Sequence, residues 1–336
     1  MITQSNRRYK LLDLLRLFCA CLVIFIHMGL GDDVAFVPCM TRQAVPFFFL
    51  VSGFFFSKRI ENEESIKAFT IRYIKPLLIV FLFWSVLWLP QITREALNLH
   101  ADRSTLYVIL VVLRRFVFAG IAPYWYLLAL IEGVIILAVV LRYRAFLIGY
   151  FLCLLGFALR FIYELQLSGG FGGAVYQAFY NVFSWENNVI MTGFPLVFLG
   201  YLMARYEEKL IAWKQLPIVL LLLYIASVII PFLLFTRSQP LYHIPFGIIQ
   251  AVLLFLVSLC ASPYDSWISP KLCRWSRNLS SVIFLTHTAF LVLFAKVFHI
   301  WDTIPRFILT VLASVLLMTV VRKLNWKPLW KVLMIK

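Results

Sequence analysis

The sequence predicts an all-α protein, a polytopic membrane helix bundle with about ten transmembrane helices. Two observations carry this. Hydrophobic residues make up 63% of the 336 positions and charged residues only 14%, whereas a soluble domain carries about 25% charged residues. Apolar runs also recur along the whole chain at the length of about 20 residues that crosses ~30 Å of hydrocarbon. A soluble fold of this size could not hide 32 phenylalanines and the aliphatic residues beside them. The same composition excludes a disordered chain and a nucleic-acid-binding domain. The net charge of +16 instead points to loops beside anionic lipid headgroups, or to a polyanionic cofactor.

Taken in order, the predicted spans lie near 11–30, 44–57, 70–92, 122–141, 145–163, 188–205, 215–235, 242–261, 281–299 and 304–322. The basic Arg7-Arg8-Tyr9-Lys10 before the first run resembles a signal peptide. Asp13 and Arg16 interrupt that run and no small-residue cleavage site follows, so it is read as a span. The second span is short and contains Pro46 and Gly53, which predicts a broken or tilted helix. Segment 104–120 is ambiguous, because it ends on Arg114 and Arg115. With ten spans and a cytoplasmic N-terminus, 22 of the 31 Lys and Arg residues fall inside and 9 outside; an eleventh span at 104–120 makes the split 15 to 16. The positive-inside rule selects ten. Segment 104–120 is then an amphipathic helix on the outer face, or one packed into the bundle. Both termini are expected in the cytoplasm, with the whole chain, 1–336, forming one membrane domain in a cell inner or plasma membrane. Cys19, Cys21, Cys39, Cys153, Cys260 and Cys273 form no C-x-x-C pair, so neither a metal site nor a disulfide framework is expected.

Ionisable groups inside spans are costly, and they mark candidate sites. The first span holds the densest set. Arg16 and His27 are eleven residues apart, about 20° off one helical face, with Asp13 on the same stripe. That places His27 about 16 Å above Arg16 along the helix. An imidazole is the usual proton shuttle, which favours a reacting role for His27. The structural alternative has Arg16 reaching lipid phosphate and His27 bonding a neighbouring helix. Glu132 is the carboxylate nearest the middle of a span, with Trp125 seven residues before it. It either orients His27, binds an acceptor hydroxyl, or is a protonated carboxyl bonded to nearby backbone. His287 sits about two turns into the ninth span. On straight helices that is lower than His27, so no contact between them is assumed and a structural role is favoured. His100, His243 and His299 fall in loops or at span ends. Arg72 and Lys75, at i and i+3, either clamp phosphates or anchor the third span at the membrane surface.

These segments together resemble acyltransferase family 3, the integral-membrane O-acyltransferases of cell-surface glycans. Leu12-Asp13-Leu14-Leu15-Arg16 running on to His27 is similar to the family's opening "LDxLR…H". Val45-Pro46-Phe47-Phe48-Phe49-Leu50-Val51-Ser52-Gly53-Phe54 resembles "VPxFFxxSGF". Arg72 to Lys75 resembles an Arg-x-x-Arg element with Lys75 in the second place, a point charge without the bidentate fork. Trp125-Tyr126-Leu127 resembles "W[FY]L", and Ser280 to His287 resembles "SxxIYLxH" with Phe284 in place of Tyr.

The resemblance implies transfer of an acyl group from cytoplasmic acyl-CoA, acetyl-CoA or a related co-substrate, to a hydroxyl of a cell-surface or lipid-linked glycan. It implies His27 as base or acyl relay; Glu132, from its place in a span, stands as a second catalytic candidate. Arg16, Arg72 and Lys75 would hold CoA phosphates, with Asp13, Trp125, His287 and Ser52 in support and no metal. The oxyanion donor is left open between Trp125 and a backbone amide near Pro46. Some members carry an extra extracytoplasmic domain. The chain ends at Lys336 without one, so the acyl group is expected to pass directly to the glycan or to a separate partner, with direct transfer favoured. The expected partners are acyl-CoA, the sugar acceptor and the bilayer, and no nucleic acid. A transporter or flippase for a lipid-linked glycan is the alternative reading of the same bundle, and the absence of inverted-repeat symmetry counts against it.

Overall fold

A computed structural model describes residues 9–28, 36–61, 65–99, 102–119, 124–164, 173–175, 177–178, 187–213, 216–234 and 243–335. Arg7, Arg8, His100 and the edges of several expected spans lie outside the described residues. The described residues form helices and connecting turns and contain no strand. Helix α1 covers Lys10–His27, α2 Phe36–Thr41, α3 Ala44–Ile60, α4 Ile66–Leu99 and α5 Thr105–Arg114, with a π-helical turn at Arg115–Ala119. Next come α6 (Trp125–Arg142), α7 (Phe146–Glu164), a π turn at Val189–Gly193, α8 (Phe194–Arg205) and α9 (Glu207–Ile211). The chain then forms α10 (Leu216–Leu234), α11 (His243–Cys260), α12 (Pro270–Lys296), α13 (Thr303–Lys323) and α14 (Lys327–Val332).

Among the described residues, six helices are long and apolar enough to cross a membrane: Cys39–Ile60, Ile66–Leu99, Trp125–Arg142, Leu216–Leu233, Pro270–Lys296 and Thr303–Lys323. Phe146–Ile162, Val189–Arg205 and Phe246–Cys260 are shorter apolar helices. Helix α1 has 18 residues but carries Lys10, Asp13 and Arg16. Every expected span therefore contains a helix, and six of these helices have the length and composition of a crossing. Helix α13 shows what solvent they are built for. Ile304, Ile308, Leu312, Leu316 and Val320, four residues apart, form an exposed apolar stripe, while Thr310 and Ser314 are wholly buried. Their hydroxyls donate back to the Arg306 and Thr310 carbonyls at 2.8 Å, so both buried hydroxyls are paired within the helix. Apolar side chains outward and small hydroxyls inward is the pattern of a helix in lipid.

Three expectations are corrected. The second span is not broken. Phe47 N–H donates to the Gln43 carbonyl at 3.0 Å, and Pro46 sits in the first turn, where a missing N–H leaves no internal bond unmade. Gly53 is there for packing: a Cβ at this position would lie 2.1 Å from the Val197 carbonyl oxygen. The ninth span begins eleven residues earlier than 281, because Ser269 caps α12 by accepting from Leu272 N–H at 3.2 Å and Pro270 opens the helix. The third extends from 70–92 to Ile66–Leu99, with Pro76 and Pro90 inside it. Segment 104–120 contains α5, capped by Ser104. It presents Val108 and Val111 to the protein and leaves Leu106, Ile109, Leu110 and Leu113 exposed, so it has no polar face.

The chain divides into two compact units, Met1–Phe48 with Tyr206–Lys336, and Phe49–Arg205. The first is organised around α1, α12 and α13. The second is organised around α6, the π turn before α8, and α8 itself; a Cβ on Gly193, in that turn, would meet the Ala129 carbonyl oxygen of α6 at 2.4 Å.

Candidate active site

In the first unit, α1 and α12 run parallel. The Cys273 thiol approaches the Lys10 carbonyl at 3.9 Å, Arg277 meets Asp13, and His287 meets His27. The start of α1 has no side-chain cap of its own, since Tyr9 is its N-cap. Asp265, 255 positions away, accepts from the Lys10 and Leu11 amides at 2.6 and 3.2 Å, satisfying free donors at the positive end of the helix dipole. Tyr9 donates to the Glu207 carboxylate at 2.6 Å. Together these contacts set where α1 begins and hence the height of every residue on it.

His27 lies seventeen residues into α1 and His287 seventeen into α12. Helices of equal rise bring the two rings level. His287 Nε2 lies 3.2 Å from His27 Nδ1, and the ring centroids are 4.8 Å apart. His27 Nδ1 also lies 3.0 Å from the Val23 carbonyl oxygen. His287 Nδ1 faces two carbonyl oxygens, of Ile283 at 3.0 Å and Phe284 at 2.9 Å. The rings differ in environment. His287 is 1% exposed, whereas His27 is exposed and its Nε2 makes no hydrogen bond among the described residues. Phe284, where the family pattern has Tyr, packs edge-on against Phe48 at 5.5 Å. The arrangement is an open imidazole backed by an enclosed one, suited to taking up and returning a proton.

Towards the N-terminal ends of the same helices lies a three-membered ion cluster. Asp13 accepts from Arg16 Nη1 at 3.3 Å through one oxygen and pairs with Arg277 Nη1 at 3.4 Å through the other. Two guanidinium groups share one carboxylate here, and a guanidinium pairs with carboxylate and phosphate alike.

The remaining candidates belong to the second unit. Ser52 Oγ is 3.3 Å from the Tyr126 hydroxyl, and Tyr73 donates to the Ser52 carbonyl at 3.4 Å. The Trp125 ring lies 6.1 Å from that of Phe49. Glu132 is half-buried, and its Oε2 is enclosed without a hydrogen-bond partner. Arg72 and Lys75 are exposed on α4, with the Arg72 guanidinium 5.8 Å from the Phe69 ring.

The structure thus joins Asp13 to Arg16 and His27 to His287, and in the second unit it joins Ser52 to Tyr126. Arg277 is not among the candidates the sequence offered. A signal was present: Arg277 precedes His287 by ten residues, as Arg16 precedes His27 by eleven. The His27–His287 contact was missed because hydropathy placed the start of the ninth span at 281, which set His287 too low.

A family model described as an acyltransferase domain matches residues 9–323. The chain belongs to acyltransferase family 3. The match takes in both compact units and every residue named above. An amino-acid racemase of Enterococcus faecalis is 25% identical over 354 aligned positions, covering 94% of this chain and 46% of the racemase. The chain therefore spans about half the length of that relative. No solved structure matches this chain.

Proposed function

We propose that this membrane acyltransferase moves an acetyl or related acyl group from cytoplasmic acyl-CoA to a hydroxyl of a cell-surface or lipid-linked glycan. In this reading the chain crosses the membrane ten times with both termini in the cytoplasm. His27 Nε2 takes the proton of the acceptor hydroxyl, and the oxygen attacks the thioester carbonyl. The C–O bond forms, the C–S bond breaks, and the proton passes from His27 to the leaving sulfur, giving an ester and free CoA. General-base catalysis of this kind contributes about 10²–10⁴-fold. Arg16 binds donor phosphate, Arg72 and Lys75 are the further candidates for acyl-CoA phosphate, and no metal takes part. Glu132 is the second catalytic candidate of this reading. The racemase name does not transfer, since the match covers less than half of that protein.

The observation that carries the reading is the His27 ring, open at Nε2 and held at Nδ1, on the same helix as the Asp13–Arg16 pair. The test uses purified protein in detergent with radiolabelled acetyl-CoA, comparing the unaltered chain with His27→Ala. CoA release by the first, and binding without release by the second, supports the reading. Label retained on the unaltered protein assigns the acyl-relay form, in which His27 itself carries the group. Failure of both proteins to bind acetyl-CoA at millimolar concentration, with the fold intact, overturns it in favour of a transporter.

A further inference from the structure

The hydrogen bonds around the two histidines determine where their protons sit. A carbonyl oxygen only accepts. His287 Nδ1 faces the Ile283 and Phe284 carbonyls at 3.0 and 2.9 Å, so Nδ1 carries the hydrogen. A neutral imidazole has one N–H, which leaves His287 Nε2 as a lone pair. That lone pair points at His27 Nδ1, 3.2 Å away, and the Val23 carbonyl approaches the same atom at 3.0 Å. With an acceptor on either side, His27 Nδ1 must be the donor. The bare nitrogen of His27 is therefore Nε2, on the exposed side of the ring.

We infer that His287 is a positioning residue for His27, accepting its Nδ1–H so that the unprotonated Nε2 faces the reacting hydroxyl. The inference rests on the reading of His27 as the base and adds a role for the second histidine. Val23 belongs to the same helix as His27 and cannot by itself hold the ring against rotation of α1. His287 holds it from the neighbouring helix, and its own ring is locked by two carbonyls and by complete burial. When His27 takes a proton at Nε2 it becomes an imidazolium, and the His287 lone pair then receives a charge-assisted bond. The arrangement parallels the orienting member of a hydrolase triad, which fixes the tautomer of the base. Here that member is a neutral imidazole, and no carboxylate hydrogen-bonds either ring among the described residues.

The test compares His287→Leu and His287→Gln with the unaltered protein, each also in the His27→Ala background, in lipid nanodiscs. Acetyl-CoA-dependent release of CoA gives kcat and KM. A through-hydrogen-bond ¹⁵N–¹⁵N coupling between the rings, read in histidine-labelled protein, reports the bond without any need for activity. We expect the coupling in the unaltered protein. His287→Leu should lower kcat about 100-fold and leave KM for acetyl-CoA within about threefold. His287→Gln, whose amide oxygen can accept in place of Nε2, should recover at least about tenfold of that loss. In the His27→Ala background the Leu substitution should add little, as residues acting as one unit do not add. If His287→Leu turns over normally while His27→Ala is inactive, the inference falls and the proposed function stands. Equal losses in the Leu and Gln variants, without ring-to-ring coupling, also overturn it, leaving His287 as packing. If His27→Ala itself turns over normally, the reading of His27 as base fails first. Should His287→Leu fail to fold, the Gln variant and the coupling decide.

Discussion

Nε2 of His287 lies 3.2 Å from Nδ1 of His27, joining residues 260 positions apart on two parallel helices. Two elements equalise the heights of these rings. Asp265 caps the first turn of α1, and Ser269 caps the first turn of α12. Asp13 and Arg277 join the same two helices nearer their N-terminal ends, so α1 and α12 are tied at two levels. This pairing holds an open imidazole at a constant height above the cluster of Asp13, Arg16 and Arg277.

The ion cluster should act on binding rather than on chemistry. Arg16→Ala should raise KM for acetyl-CoA about tenfold, the scale of a lost hydrogen bond to a charged group, with kcat changed less than about threefold. Arg277→Ala should raise KM in the same direction, because Asp13 then shares its charge with Arg16 alone. The double variant should fall short of the product of the two. Steady-state kinetics at low and high salt check this, and unchanged KM in both single variants would remove the cluster from donor binding.

Arg72 and Lys75 sit exposed on α4, which is where a surface anchor would also sit. Arg72→Ala should raise KM for acetyl-CoA more than it lowers kcat. Lys75→Arg, which supplies a planar fork in place of a point charge, should lower KM by about two- to threefold. If neither substitution moves KM, the pair serves only to anchor the helix at the membrane surface.

Close helix crossings make two glycines of the second unit hard to replace. A Cβ at Gly53 would stand 2.1 Å from the Val197 carbonyl oxygen, and one at Gly200 would stand 2.3 Å from that of Leu50. Both clashes are with backbone, so α3 and α8 would have to separate. Gly53→Ala and Gly200→Ala should each cost about 1–3 kcal/mol, seen as a lowered Tm in detergent. The double variant should cost less than the sum, because one displacement relieves both clashes. A Tm equal to that of the unaltered protein would show that the helices part without loss.

Asp102 reports the orientation of the chain. Its side chain is 75% exposed, at 3.3 Å from Arg103. Five of the six native cysteines are buried and Cys21 is half-buried, so their background labelling should be low. Asp102→Cys should react with an impermeant thiol reagent on intact cells. Reaction only after lysis would reverse the proposed orientation.

Composition and spacing alone determined the class of molecule and the main reacting candidate. Lipid accepts only helices and closed barrels, whose backbones are satisfied internally, and unbroken apolar runs of about 20 residues select the helix. A histidine eleven residues beyond an arginine on one stripe was visible as a candidate because 3.6 residues per turn brings the two onto one face. Helix starts and partners on other helices were decided by tertiary structure. Hydropathy cannot see a cap such as Ser269, nor that a polar first turn continues as helix, so it misplaced the start of α12 and the height of His287. It also read Pro46 and Gly53 as a break, whereas the fold uses one in a first turn and the other against a passing backbone. The Asp13–Arg277 and His27–His287 pairs arise only when α1 and α12 lie side by side, a contact between residues more than 250 positions apart that no local periodicity encodes.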